Sequence, residues 1–218
     1  MTERAATDRR ELARQAAPKA GRWPRTERRA ERVSAVLARR QADLTVVLEN
    51  VHDPHNVSAV LRSCDAVGVL RAHAVYTVEA PPLGAFARTT SASAAKWIEV
   101  VRHDSIGACY DWLRAAGFAI YATALEATSD DLYEVDLTQP VALVFGNEMR
   151  GVSDEARERA DRSIAIPMMG MVQSLNISVA CAVTLYEALR QRRAAGAYDR
   201  PTLAPGAIAA LRDDWLRR

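Results

Sequence analysis

Side chains that can do chemistry gather in three short stretches of this sequence, each of which includes or follows a run of apolar residues. Amide, hydroxyl, carboxylate and guanidinium groups together can orient a substrate, bind its phosphate and stabilise charge that develops in a reaction. The stretches and their polar residues are 49–68 with Asn56 and Arg62, 141–153 with Glu148, and 166–178 with Ser174 and Asn176.

Each of these residues, taken alone, also has a structural explanation. Asn56 fits the cap of a helix, and Arg62 fits an ion pair with Asp65 three residues further on. The glycines around Glu148 fit a β-turn, although a turn does not account for the carboxylate. The third stretch is rich in methionine, and such a soft apolar surface suits either a packed loop or an adenine with a thioether-like chain. Composition alone leaves both open.

Several enzyme classes are disfavoured because their motifs are absent. The sequence has no GxGxxG, GxxxxGK[ST], GxSxG or HExxH motif, which argues against dehydrogenases, phosphate-loop enzymes, elbow-type hydrolases and zinc proteases. The three cysteines, Cys64, Cys109 and Cys181, are widely spaced and are predicted to be reduced, buried, small apolar residues. No metal site is expected.

The elements that must position the three stretches alternate between strand and helix. Apolar runs predict strands at 44–48, 72–78, 97–101, 118–123, 141–145 and 163–166, and helices at 56–67, 104–116, 153–160 and 176–194. Asp104 is the expected cap of the second helix. The alternation predicts an α/β fold with an open, mostly parallel sheet. In such a sheet ligands bind at the carboxyl ends of the strands, where the three stretches fall.

The net charge of +2 hides an uneven distribution. Residues 1–40 hold 12 Lys/Arg against 5 Asp/Glu, residues 190–218 hold 7 against 3, and residues 41–189 hold 10 against 19. These basic flanks, with predicted helices at 26–40 and 205–218, fit either solvated tails or ends that bind a polyanion such as RNA. Because no run of about 18 apolar residues occurs and the N-terminus is charged, we expect a cytoplasmic protein with no membrane partner.

Taken together, the three stretches resemble the signature motifs of the SpoU (TrmH) family of RNA 2'-O-methyltransferases, within the SPOUT superfamily. The phrases NVHDPHNVSAVLRSCDAVGV and IPMMGMVQSLNISVA carry the resemblance. It covers residues 44–194 and, with the basic helices, nearly the whole chain from Arg25. The polar composition of residues 1–24 predicts a flexible basic arm. After it, the resemblance implies a basic helix (25–43), a SPOUT methyltransferase domain (44–194) and a basic helical extension (195–218).

The resemblance further implies a C-terminal deep trefoil knot, a homodimer, and S-adenosylmethionine as the methyl donor. In the family the knot loops bind this cofactor, with backbone groups reading the adenine. The matching cofactor-binding positions here are Thr123, Leu125, Gly146, Ile166, Met171 and Leu175.

A set of catalytic residues also follows from the resemblance: Arg62, Asn56, Glu148, Ser174 and Asn176. Arg62 matches the residue with the central role, but a guanidinium with a pKa above about 12 is a poor base at neutral pH. We therefore expect Arg62 to bind phosphate and to stabilise negative charge on the 2'-oxygen, while the other four orient Arg62, the ribose and the phosphate. The basic residues expected to bind RNA are Arg25, Arg28, Arg29, Arg32, Arg190 and Arg193.

The resemblance also implies a tRNA substrate, methylated on the 2'-oxygen of guanosine 18 in the D-loop, because the three motifs and the short basic helices that flank the predicted knot are similar to those of the family's tRNA enzymes. The alternatives are an rRNA 2'-O-methyltransferase, including the type that gives thiopeptide resistance, and a catalytically silent RNA-binding SPOUT protein. Ribosomal relatives commonly carry a separate globular RNA-binding domain, for which this sequence has only an arm and one helix. The presence of Arg62 and Asn176 disfavours the silent protein.

Overall fold

The structure, a computed structural model, describes residues 27–78 and 94–218. The predicted arm of residues 1–24 and the candidate RNA-binding residue Arg25 lie outside the described residues. The chain divides into two compact units. One holds the segment up to Leu37 together with Pro205–Arg218, and the other is formed by residues 38–204.

The order of elements confirms the predicted alternation of strand and helix. The helices are α1 (Glu27–Leu37), α2 (Pro54–Val67), α3 (Ile106–Ala115), α4 (Asp154–Glu158), α5 (Ile177–Ala194) and α6 (Pro205–Arg217). The strands are β1 (Leu44–Glu49), β2 (Arg71–Val75), β3 (Glu99–His103), β4 (Ala119–Thr123), β5 (Asp130–Asp131), β6 (Val141–Phe145) and β7 (Arg162–Ala165), with a short 3-10 turn at Ala94–Lys96.

The seven strands form one open sheet in the order β3-β2-β1-β6-β4-β7-β5, and every pairing between them is parallel. This confirms the predicted α/β fold. The strand order reverses beside β1, because β2 and β3 lie on one side of it while β6 and β4 lie on the other. Loops that leave neighbouring strands at such a switch point diverge and leave a crevice at the carboxyl edge of the sheet.

Helices cover both faces of the sheet. On one face α2 and α5 pack together over Leu48 of β1 and Leu143 of β6, and on the other α3 and α4 cover Val47 and Val144 of the same strands. Parallel strands with both faces covered are near-continuous apolar runs, and β1 and β6 are buried along their whole length. The helices that follow β1 and β6 therefore leave toward opposite faces.

Two helix caps differ from the prediction. Asp53, not Asn56, caps α2, and Pro54 follows at the first position, where its missing N–H would have no helical partner. Ser105, not Asp104, caps α3. In both cases two residues that favour caps lie close together, and the choice depends on which one has extended backbone geometry. Asn56 is thereby released from the capping role.

Some strand boundaries also differ. The second strand ends at Val75 instead of residue 78, and the third begins at Glu99 instead of residue 97. The edge strand β5 (Asp130–Asp131) was absent from the prediction, because two acidic residues have neither apolar content nor alternation.

The buried side chain of Arg192 ties the end of α5 to the sheet. Its guanidinium donates to the carbonyl oxygens of Leu137 at 2.9 Å and Gln139 at 2.7 Å, and to the carboxylate of Asp43 at 2.6 Å. The side chain of Arg192 is wholly inaccessible to solvent. It therefore fixes the residues that precede β1 and β6, which lie side by side in the sheet.

The unit of the two terminal helices has its own contacts. α1 packs against α6, where Arg29 donates to the carbonyl of Trp215 at 3.5 Å and Arg212 donates to the Ser34 hydroxyl at 3.0 Å. Trp215 and Leu216 are buried. Among the helices that the structure describes, none is long and apolar enough to cross a membrane.

All three cysteines are free and buried, as predicted. Burial raises the pKa of Cys109 to about 12, and burial together with a hydrogen bond to Cys64 raises the pKa of Cys181 well above its ordinary value. The thiols of Cys109 and Cys181 therefore stay protonated near neutral pH and have little of the thiolate that nucleophilic catalysis needs.

Candidate active site

The first two polar stretches meet at the switch point of the sheet. The first follows β1 and the second follows β6, and these strands are paired from Leu44↔Val141 to Leu48↔Phe145. Gly146 begins the second loop, and a Cβ atom there would lie 2.0 Å from the backbone of Gly151. Only glycine lets the loop fold back this closely, so the position of Glu148 depends on Gly146.

A hydrogen-bonded cluster joins the three stretches through Asn56, Glu148 and Asn176. One carboxylate oxygen of Glu148, Oε1, accepts hydrogen bonds from the side-chain amides of both Asn56 and Asn176, the second at 3.1 Å. Asn176 Nδ2 also donates to Asn56 Oδ1 at 3.2 Å. Residues 92 and 120 positions from Asn56 thus contact it directly. The structure brings these three predicted residues together.

Two further residues, missed by the sequence reasoning, hold the amides in place. Asp53 accepts from Asn56 Nδ2 at 3.4 Å. The backbone N–H and hydroxyl of Ser178 both donate to Asn176 Oδ1, at 2.9 Å and 2.5 Å. The Asp-Pro pair at a helix start is a sequence signal that would have identified Asp53, whereas Ser178 carries no comparable signal.

Arg62 lies exposed on α2, six residues after Asn56, and among the described residues the cluster does not include it. The predicted partner of Arg62, Asp65, forms an ion pair at 2.5 Å with the fully buried Arg40. Arg40 also donates to the carbonyl of Val69 at 2.7 Å. Asp65 is therefore committed to a structural contact.

A cavity of about 460 Å³ opens beside the cluster, at the carboxyl ends of β4, β6 and β7. Ligand pockets of a few hundred cubic ångströms typically enclose molecules of cofactor size. Five of the six predicted cofactor positions line this cavity, together with two of the predicted catalytic residues. They are Thr123, Leu125, Gly146, Ile166 and Leu175, with Glu148 and Ser174.

Met171 differs from the other predicted cofactor residues. Its side chain is fully exposed and does not line the cavity, whereas the neighbouring Met168 does. Residues 166–176 form an irregular loop, and no periodicity in such a loop indicates which side chains point inward. The assignment of Met171 to the cofactor therefore lacks support in this arrangement.

The lining of the cavity suits an adenosine with a methionine chain. Most of it is apolar, including Leu125, Phe145 and Ile166, and the loop around Gly146 and Gly151 adds backbone groups. Such a lining packs against an adenine ring while backbone amides and carbonyls bind its polar edge. The apolar lining and the backbone groups of the loop therefore fit S-adenosylmethionine.

Tyr76 lies next to the first stretch, where its hydroxyl donates to the carbonyl of Val51 at 3.1 Å. Burial raises its pKa to about 12, although Arg102, whose guanidinium lies 5.8 Å from the ring, acts in the opposite direction. Tyr76 is consequently neutral at physiological pH and makes a poor base.

The predicted RNA-binding arginines are not equivalent. Arg28 and Arg32 are exposed on α1, and Arg193 is exposed near the end of α5. Arg29 is only partly exposed and makes the contact with α6 described above. Arg190 forms two hydrogen bonds with the carboxylate of Glu187, at 2.7 and 2.8 Å. Three of the six are therefore exposed without these structural contacts.

Comparison with known families gives one match that covers most of the chain. The SpoU rRNA Methylase family matches residues 43–186. This range includes β1 to β7 and all three polar stretches.

Similar proteins are named as guanosine 2'-O-methyltransferases that act on tRNA or on rRNA. The tRNA (guanosine(18)-2'-O)-methyltransferase of Thermus thermophilus is 53% identical over 194 residues, which is 89% of this chain and 98% of that protein. The Escherichia coli K12 protein of the same name is 48% identical over 170 residues, covering 77% of this chain and 72% of the relative. A 23S rRNA (guanosine-2'-O-)-methyltransferase of Vibrio cholerae is 42% identical over 159 residues, or 73% of this chain and 64% of the relative.

Solved structures give the same picture. The A. aeolicus TrmH/SpoU tRNA modifying enzyme superimposes with a TM-score of 0.77 at 41% identity, covering 87% of this chain and 95% of that one. A second similar structure is the SpoU methyltransferase AviRb from Streptomyces viridochromogenes, solved in complex with the cofactor AdoMet. Its TM-score is 0.62 at 31% identity, and the match covers 70% of this chain and 59% of the AviRb chain.

Proposed function

The chain belongs to the SpoU methylase family, and on this premise we propose that it is a tRNA (guanosine(18)-2'-O)-methyltransferase that uses S-adenosylmethionine. It transfers a methyl group to the ribose 2'-oxygen of guanosine 18. The observation that carries the proposal is the cluster of Asn56, Glu148 and Asn176 beside a cavity that fits the cofactor. The names of relatives that are 53% and 48% identical support the choice of tRNA and of this nucleotide.

The residues of this chain divide the work between cofactor and RNA. Thr123, Leu125, Gly146, Ile166 and Leu175 bind the cofactor, which supplies its methyl group to the ribose oxygen. Arg62 binds phosphate of the RNA and stabilises negative charge on the reacting oxygen. Ser174 contacts the phosphate, and Asn56 and Asn176 orient the ribose through the carboxylate of Glu148 that they hold. Alignment of oxygen and methyl carbon contributes a large part of the rate, and no metal is needed.

The active enzyme is a homodimer in this proposal, and a second subunit completes the site around Arg62. Exposed apolar side chains near the third stretch support an interface. Met169 is 94% exposed, Met171 is 100% exposed, and Val172, Val179 and Tyr186 are also exposed. Large apolar side chains exposed near one segment are typical of an interaction surface. We also propose that the chain at the cofactor loops forms the trefoil knot and that the enzyme works in the cytoplasm, where tRNA is found.

The substrate is tested with unmodified tRNA, unmodified rRNA and the purified enzyme with S-adenosylmethionine. After digestion, mass spectrometry should find 2'-O-methylguanosine in the D-loop fragment of tRNA that contains position 18. An exposed loop nucleotide can be turned out into a pocket more readily than one within a helix, which is the physical reason for expecting a loop.

A tRNA with guanosine 18 replaced by adenosine is the control and should gain no methyl group at that position. Methylation in the anticodon loop, or on rRNA alone, would contradict the substrate while leaving the reaction type intact. Absence of methyl transfer to any RNA would contradict the proposed function as a whole.

A further inference from the structure

The two carboxylate oxygens of Glu148 differ in their hydrogen bonds. Oε1 accepts the amides of Asn56 and Asn176, whereas no hydrogen bond from the described residues reaches Oε2. Glu148 is exposed and lines the cavity that fits the cofactor. A ribose hydroxyl that approaches a methyl donor in this cavity therefore meets a carboxylate oxygen that is held from behind and able to accept a hydrogen bond.

Few groups in this cavity can take a proton near neutral pH. The described residues that line it include no histidine, lysine, cysteine, aspartate or tyrosine, and its only carboxylates are Glu126 and Glu148. Glu126 forms an ion pair with Arg157 at 2.5 Å. The arginines of the cavity and Arg62 are poor bases, because a guanidinium does not lose its proton in proteins. Among the described residues that line the cavity within one subunit, this leaves Glu148 as the group that can take the proton.

We propose that Glu148 is the general base of the reaction and takes the proton of the ribose 2'-hydroxyl through Oε2, an inference that rests on the proposed function. As the 2'-oxygen forms its bond to the methyl carbon, the carbon–sulfur bond of the cofactor breaks and its electron pair stays on sulfur. The positive sulfonium becomes a neutral thioether, and the hydroxyl proton passes to Glu148 and then to water. Charge and atoms balance without a metal or a further reactant.

The side-chain amides of Asn56 and Asn176 position the carboxylate of Glu148. Asn56 and Asn176 direct both their N–H groups at neighbours, and Asp53 and Ser178 fix which end of each amide faces Glu148. They hold the carboxylate by Oε1, which leaves Oε2 without a hydrogen bond from the described residues. Positioned proton transfer of this kind contributes about 10²–10⁴-fold to a rate.

The test is single-turnover methyl transfer by the full-length protein, on whichever RNA the wild type methylates, for wild type and Glu148→Gln. The glutamine keeps an oxygen that can accept the two amides but cannot take the proton. We expect a loss of about 10²-fold or more at neutral pH. Affinities for S-adenosylmethionine and RNA, measured by calorimetry without turnover, should stay within about threefold. Glu134→Gln, an exposed change of equal charge, is the control and should leave all three values unchanged.

The pH profile separates this base from the alternatives. Carboxylic acids ionise well below neutral pH, so the wild-type rate should be level between about pH 6 and 9. The rate of Glu148→Gln should instead rise with pH, because hydroxide then takes the proton. A wild-type rate that rises about tenfold per pH unit would indicate a guanidinium base, and a bend near neutral pH would indicate a histidine. Either result, or an undiminished Glu148→Gln rate, overturns the proposal.

The proposed function and this inference fail in different ways. A wild-type protein that methylates no RNA contradicts the function. A wild-type protein that is active, beside a Glu148→Gln variant of equal rate, contradicts only the assignment of the base. If Glu148→Gln also loses affinity for the cofactor or for RNA by more than about tenfold, the carboxylate has a structural role and the assignment is wrong.

Discussion

At the scale of single residues, this chain relies on polar groups that are buried or fixed by their neighbours. The amides at the site are oriented by Asp53 and Ser178, and a second polar pair, His73 and His103, links strands β2 and β3. His73 on β2 is 1% exposed, and its Nδ1 lies 2.8 Å from Nε2 of His103 on β3. Burial first, and then the charges of His103 and Arg71, lower the pKa of His73 to about 3.

This depressed pKa predicts loss of stability in mild acid. Below about pH 6.5 an unfolded histidine binds a proton, which the folded His73 does not bind until about pH 3. Stability therefore falls as pH falls through this window, by about 2 kcal/mol between pH 7 and pH 5 for one such group. The free energy of unfolding, measured with urea at both pH values, should change less in His73→Gln. His55→Gln, on an exposed histidine, is the control, and an equal pH dependence in all three proteins would refute the prediction.

At the scale of elements, long-range polar contacts fix how helices join the sheet. Arg192 binds the chain before β1 and the chain before β6 at once, through Asp43, Leu137 and Gln139. These are the two strands whose carboxyl ends carry the first two polar stretches. Arg192 contacts the start of both strands, and the site lies at their other ends. The contact therefore helps to set the pairing register of β1 with β6, on which the geometry of the site depends.

Arg192→Met should strongly destabilise the protein. The methionine fills a similar volume but leaves two carbonyl oxygens without their donor and Asp43 without its cation, which costs about 3 kcal/mol. The neighbouring Arg193→Met is the matched control, because Arg193 is exposed, and its cost should be below about 0.5 kcal/mol. Urea denaturation measures both, and similar values for the two variants would contradict the structural role of Arg192.

The elements themselves were largely predictable from the sequence. Apolar runs indicated β1 and β6 because buried parallel strands are apolar throughout, and the polar residues after them indicated the site. The strand order was not predictable, since no local signal tells which strands pair when β1 and β6 are almost 100 residues apart. The role of Arg40 was missed for the same reason, because it contacts Asp65 and Val69, which are distant in sequence. Asp53 and Ser178 contact near neighbours, but the importance of these contacts depends on Glu148, which only the fold brings close.

At the scale of the whole molecule, positive charge is concentrated outside the methyltransferase core. The first 40 residues and the last 29 are basic, while the middle is acidic. An RNA substrate should therefore be bound mainly by the flanks. The structure refines this expectation, because Arg40 is buried in a structural contact and Arg29 contacts α6, which leaves Arg28 and Arg32 as the exposed cations of α1.

Replacing Arg28 and Arg32 together by alanine should weaken tRNA binding and reduce its salt dependence. Each lost phosphate contact lowers the slope of log affinity against log salt by about 0.7 to 0.9, so the double variant should lose about 1.4 to 1.8. Cofactor affinity should not change. Arg114 and Arg159, both in surface ion pairs, provide a control double variant. Fluorescence titrations of tRNA at several salt concentrations measure these slopes. An unchanged slope in the Arg28 and Arg32 double variant would rule out phosphate contacts by these two residues.

The strand order has a consequence for folding of the chain during its synthesis on the ribosome. β1 is flanked in the sheet by β2, made soon after it, and by β6, which begins 97 residues later at Val141 opposite Leu44. At a synthesis rate of about 5–20 residues per second, the wholly apolar β1 waits roughly 5–20 seconds for its second neighbour. During that interval an unpaired apolar edge is open to other nascent chains. Slower translation between residues 49 and 141 should lengthen this exposure. Binding of a chaperone to the growing chain should therefore increase, because the sheet pairs β1 with a strand that is made much later.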